Sequence, residues 1–93
     1  MFIARPQDGF KIIRSGIAEY KERGIALSDT RQSEYEMILD ELRMDGHKLG
    51  EPRFDSNQSM RKVSITTDAY DWYIEFAVLG DTLEILFVSY DEK

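Results

Sequence analysis

The sequence predicts an α+β domain in which two helices pack on a small antiparallel sheet, in the order β-α-α-β-β-β. Three observations carry that expectation. Apolar residues recur at three- and four-residue spacing in the first half of the chain. They alternate with period two from about residue 61 onward. A Gly80-Asp81 pair interrupts the alternating part where a hairpin would turn. The 93 residues are the length of one domain, 1–93.

Met1–Arg5 offers Phe2, Ile3 and Ala4 ahead of Pro6, a short strand that ends where proline removes an N–H. Phe10, Ile13, Ile17 and Tyr20 are then spaced by three, four and three, as on one face of a helix. Asp8 would be its N-cap, and Gly24 its stop, with Lys21 and Arg23 in the last turn. Gly16 inside it would permit close packing.

The second helix rests on Tyr35, Ile38, Leu39 and Leu42, a regular apolar stripe. Ser28 or Asp29 can cap it, and Ser33-x-x-Glu36 has capping-box spacing, so its start is open. Gly46 ends it. HKLGEPRFDSNQS contains Gly50 and Pro52 and reads as a long loop anchored by Leu49 and Phe54.

Val63 and Ile65 then share one strand face. In DWYIEFAVL, Trp72, Ile74, Phe76 and Val78 face one way, and Tyr73, Glu75 and Ala77 the other. Gly80-Asp81 is the glycine-first pattern of a type II′ turn. In LEILFVSY, Leu83, Ile85 and Phe87 alternate with Glu84, Leu86, Val88 and Tyr90. Both faces are largely apolar, which predicts the most buried strand of the sheet.

Charge bounds the function. Residues 1–33 hold six Lys/Arg against four Asp/Glu, and residues 34–93 hold six against fourteen, so the two segments carry +2 and −8. An acidic surface repels phosphate backbones and attracts basic protein surfaces. The absence of cysteine excludes disulfides, thiolate nucleophiles and cysteine-bound zinc, and fits a cytoplasmic protein. No apolar run reaches membrane-spanning length, and MFIARPQDGF turns polar too quickly for a signal peptide. Glu36 and Asp40 stand four apart but lack an evident third ligand. His47 is a lone loop histidine with no partner fixed by spacing. No cofactor, metal or membrane is expected.

From about Tyr35 to Tyr90 the chain resembles the RelE/ParE superfamily of bacterial toxins. The resemblance lies in ILDELRMDGHKLGEP, RKVSI, DWYIEF and LEILFVSY. It implies a RelE/ParE-like fold and, in the nuclease members, ribosome-bound cleavage of messenger RNA. That chemistry uses a base for the 2′-hydroxyl, cations for the phosphorane charge and an acid for the leaving oxygen. Carried over by position, Arg61 or Lys62 matches a basic site and Tyr90 a terminal functional site. The strand arginine, however, is replaced by Tyr73, which is neutral at pH 7. Asp71, Glu75, Asp91 and Glu92 add negative charge around it.

Two expectations follow. The first is a non-catalytic protein-binding module that presents Trp72, Tyr73, Glu75, Asp91 and Glu92 to a partner with a basic surface. The second is an active toxin restrained by a cognate antitoxin. It would be either a messenger-RNA nuclease using Arg61, Lys62 and Tyr90 or an inhibitor of gyrase. Nucleic acid would enter only through the ribosome.

Overall fold

The computed structural model describes the backbone of residues 6–54 and 57–93 and the side chains of 6–52 and 60–93. The expected strand at Met1–Arg5 and the Phe54 anchor lie outside what is described. Among the described residues seven elements follow one another: β1 (Lys11–Arg14), α1 (Gly16–Ile25), α2 (Asp29–Asp45), β2 (Glu51–Phe54), β3 (Asn57–Thr66), β4 (Tyr70–Leu79) and β5 (Thr82–Glu92). The sheet order is β1-β5-β4-β3-β2. The fold is therefore α+β with two helices, but its sheet has five strands and is mixed. β1 runs parallel to β5, and every other pairing is antiparallel.

The largest departure from the sequence reading is at the first helix. Phe10 and Ile13 precede it, and Ser15 rather than Asp8 is its N-cap, accepting from the Ala18 N–H at 3.1 Å. Ala18 and Ile25 are its buried residues, while Ile17 and Tyr20 are 61% and 70% exposed. A helix beginning at Asp8 would forfeit the ladder between Lys11–Arg14 and Thr82–Ile85. It would also forfeit the seat of Phe10, whose N–H donates to the Arg43 carbonyl at 2.8 Å and whose ring is buried. Tertiary pairing outweighs local helical spacing here.

α2 agrees with its sequence signature. Tyr35, Ile38, Leu39 and Leu42 are buried, Ser28 is the N-cap, and Gly46 is the C-cap. Segment 47–59, expected as a loop, instead turns through Gly50 into the β2–β3 hairpin. Pro52 is accommodated because β2 is an edge strand. Leu49 packs against the core as expected.

β4 lies at the centre of the sheet, and Trp72, Ile74, Phe76 and Val78 are buried beneath the helices. β4, not β5, is the most buried strand. The reason is a bulge. Phe76 pairs with Ile85 and Glu75 with Phe87, so Leu86 is an extra residue in β5. The bulge reverses the phase of the strand. Leu83 and Ile85 face the core before it, and Val88 and Tyr90 after it. Phe87 turns to the opposite face, where its ring meets Tyr73 at 6.2 Å. Ser15 secures the bulge, because its N–H donates to the Ile85 carbonyl at 2.9 Å and its hydroxyl to the Leu86 carbonyl at 2.8 Å. At the Gly80-Asp81 turn only the glycine has positive φ, +65°, which fits the expected type II′ geometry and not I′.

Candidate functional site

Both helices stand on one face of the sheet, joined through the cluster that contains Ala18, Ile25, Tyr35, Ile38, Leu42, Trp72, Ile74, Phe76 and Val88. Register fixes what the other face carries. Lys62 pairs with Glu75, Ser64 with Tyr73, and Asp71 with Asp91, and these alternate with the core residues Arg61, Val63 and Ile65. Among the described residues the open face thus presents Tyr73 and Phe87 among Asp71, Glu75, Glu84 and Asp91, with Lys62 and Lys11 as cations. The Tyr73 hydroxyl donates to Glu75 Oε2 at 2.5 Å, and Lys62 Nζ lies 3.7 Å from Glu51. A shallow cleft of about 160 Å³ is lined by Glu51, Lys62, Val63, Ser64 and Tyr73. Asp71 and Asp91 sit directly opposite one another, an arrangement that disfavours the free sheet and favours a cation beside it.

The sequence-predicted residues divide between two faces. Tyr73, Glu75 and Asp91 share the open face. Glu92 pairs with Tyr70 on the helix side. Trp72 must be corrected: it is 2% exposed and cannot meet a partner. Its indole N–H lies 3.2 Å from Glu34 Oε1 and 3.1 Å from Thr67 Oγ1, and its ring stacks on Tyr35 at 5.6 Å. Glu34 reaches from α2 to bind the Thr67 hydroxyl and the Ala69 N–H as well. Burial acts to raise the pKa of this carboxyl. The hydrogen bonds from Thr67, Trp72 and Ala69, together with nearby Lys93, outweigh burial and hold the pKa below the usual glutamate value.

Arg61, Lys62 and Tyr90 do not form one site. Arg61 lies on the core face, 8% exposed, its Nε donating to the Leu49 carbonyl at 2.9 Å and Nη2 to the Gly50 carbonyl at 3.1 Å. Burial lowers its pKa, though a guanidinium remains charged at any working pH. Lys62 is on the opposite face. Tyr90 joins an aromatic cluster, 5.4 Å from the Trp72 ring and 5.6 Å from Tyr70, with the Arg31 guanidinium 5.2 Å from its centroid. Each of the three has a structural role or a separate neighbourhood, and no point adjoins all of them.

Sequence reasoning missed two features. Phe87 belongs to the open face; the unbroken apolar run Ile85–Val88 hides the bulge that puts it there. Arg14 belongs to a strand and binds Glu22 at 2.9 Å, while the Tyr35 hydroxyl donates to the same carboxylate at 2.7 Å. Burial first, and then the bond and charge of Glu22, push the Tyr35 phenol upward. His47 is half-buried rather than solvated, with its ring 5.7 Å from Phe10. Among the described residues no group of acidic or histidine side chains has metal-binding geometry, and no helix is long and apolar enough to cross a membrane.

No protein-family model, curated protein or solved structure matches this chain.

Proposed function

We propose that this chain is a small protein-binding module, non-catalytic and RelE/ParE-like, which docks the open face of its sheet on a partner with a basic surface. The observation that carries the reading is the composition of the sheet face that neither described helix covers. Helices bury one side of the sheet, while the other combines the Tyr73–Phe87 aromatic pair with a surplus of carboxylates. Aromatic anchors ringed by charge are the usual composition of a recognition surface. The charge sign selects a basic partner and steers its approach.

The disposition of Arg61, Lys62 and Tyr90 weighs against the alternative of a messenger-RNA nuclease. Cleavage needs its acid, base and cations around one phosphate. Here one cation is held by two backbone carbonyls, the other points to the opposite side, and the tyrosine packs beside Arg31.

Induced expression in bacteria, with growth and transcript integrity followed together, tests this reading. The expected result is intact transcripts. Arrest with intact transcripts would indicate a protein target such as gyrase. Arrest with cleaved transcripts, relieved by Lys62→Ala, would overturn the non-catalytic reading.

A further inference from the structure

α1 runs alongside β5 in the same direction, and the two leave a groove between them. Contact begins where the Ser15 N–H donates to the Ile85 carbonyl at 2.9 Å. It extends to Gly24, where an added Cβ would stand 3.6 Å from the Tyr90 hydroxyl. The groove has a volume of about 500 Å³, within the range of small-molecule sites, and is lined by Tyr20, Lys21, Arg23, Gly24, Ser89 and Tyr90. Its walls are fixed from behind. The Arg31 guanidinium lies 5.2 Å from the Tyr90 ring centroid and donates to the Gly24 carbonyl at 2.9 Å and to the Tyr70 hydroxyl at 3.3 Å. Arg31 thus ties the end of α1 to β5 and offsets the negative end of the helix dipole. The charges of Lys21 and Arg23 are left to the groove.

That charge runs against the rest of the chain. The sequence holds 18 Asp/Glu against 12 Lys/Arg, yet among the described residues no carboxylate lines this groove. Glu22, between the two cations in sequence, is turned to the other flank, held by Arg14 at 2.9 Å and the Tyr35 hydroxyl at 2.7 Å. Glu92 follows Tyr90 past the end of α1, whereas Lys21 stands nearly a turn before Gly24. Among the described residues neither Lys21 nor Arg23 makes an ion pair. Tyr20 adds a ring that is 70% exposed, apolar surface that a flat ligand would cover.

We infer that the groove between α1 and β5 binds a small aromatic phosphomonoester, its phosphate between Lys21 and Arg23 and its ring on Tyr20. A phosphomonoester carries a charge of about −1.5 to −2 at pH 7 and three acceptor oxygens, which matches two unpaired cations better than a single carboxylate does. The ring supplies the stacking area that inorganic phosphate lacks. A nucleoside monophosphate and a phosphorylated tyrosine share this chemistry, and the choice of probes separates them. The inference does not depend on the reading of the open sheet face, which is a different surface of opposite charge.

The full chain, ¹⁵N-labelled and in buffer free of phosphate, is titrated with AMP and with capped O-phosphotyrosine; adenosine and inorganic phosphate are the controls. At least one aromatic phosphate should bind with Kd below about 1 mM and shift the amides of Tyr20, Lys21, Gly24 and Tyr90, and whichever binds identifies the source. Adenosine and inorganic phosphate should each bind at least about tenfold more weakly. Lys21→Ala with Arg23→Ala should weaken the aromatic phosphate about tenfold or more without lowering Tm, since both are surface substitutions. Tyr20→Ala should weaken it as well, but leave the weak binding of inorganic phosphate as it was. The inference fails if neither aromatic phosphate reaches a Kd of about 1 mM, or if inorganic phosphate or adenosine binds as tightly. It also fails if the shifts cluster around Lys62 on the open face, or if both variants bind as the parent does.

Discussion

Replacing Arg61 with alanine separates a structural arginine from a catalytic one. Arg61 holds the connection between α2 and β2 through two charge-assisted bonds, to the carbonyls of Leu49 and Gly50, from a side chain that is 8% exposed. Hydrogen bonds to charged groups contribute about 1.5–3 kcal/mol each. Part of that returns, because the Gly50 end of the loop is exposed and its carbonyl gains water. The net cost of Arg61→Ala is therefore about 2–4 kcal/mol. For a domain of this size each kcal/mol shifts Tm by roughly 4–8 °C, so Tm should fall by about 10–25 °C. Urea denaturation followed by circular dichroism measures the loss. Arg61→Lys should recover less than half of it, because an ammonium cannot span both carbonyls as the guanidinium fork does. Lys62→Ala, on the open face, should stay within about 0.5 kcal/mol of the parent. If Arg61→Ala is as stable as Lys62→Ala, Arg61 is not the tie described, and its availability for chemistry must be reconsidered.

Three other outcomes are expected. Ser15→Ala should cost about 1–2 kcal/mol, because the hydroxyl both caps α1 and holds the Leu86 bulge, whereas Asp8→Ala should change stability by less than about 0.5 kcal/mol; paired denaturation curves decide this. Gly50→Ala should be costly, because φ is +67° and an added Cβ would overlap the Lys62 carbonyl; the backbone conformation alone costs about 1–3 kcal/mol, and Tm reads the total. The lowered pKa of Glu34 makes its contribution fully present above the unfolded value, about 4.5, and lost as pH falls through the lower folded value. Unfolding free energy should therefore drop as pH falls below about 4.5, and Glu34→Gln should flatten that part of the profile.

The parts of the fold legible in the sequence are those whose signal is local. α2 has a regular apolar stripe between a serine cap and a glycine stop, and β4 alternates cleanly because it is covered on one face along its whole length. The parts that were not legible depend on distant partners. Lys11–Arg14 becomes a strand only because β5, about seventy residues later, offers an edge for parallel pairing, and Phe10 to Tyr20 mimics a helical face across that boundary. The Leu86 bulge lies within four consecutive apolar residues, Ile85 to Val88, so no polar residue marks the change of phase. Gly50 and Pro52 carry the local signal of breakers, yet one is the turn into an edge strand and the other is tolerated there. At the site, alternation placed Tyr73 and Glu75 on the open face. The Arg61–Lys62 pair shows the limit of motif transfer, since adjacent strand residues point to opposite sides.

In the proposed function the open face, through Tyr73 and its carboxylate neighbours, meets a basic protein. Site-specific photocrosslinking tests it most directly, with p-benzoylphenylalanine introduced in living cells at position 73 and, as a control, at Met37 on the exposed side of α2. Adducts with basic proteins are expected at position 73, fading when the same experiment is run in lysate as salt rises from about 0.1 M to 0.5 M and screening shortens. Position 37 should give none of them. The same adducts from both positions, or none from position 73, would contradict it.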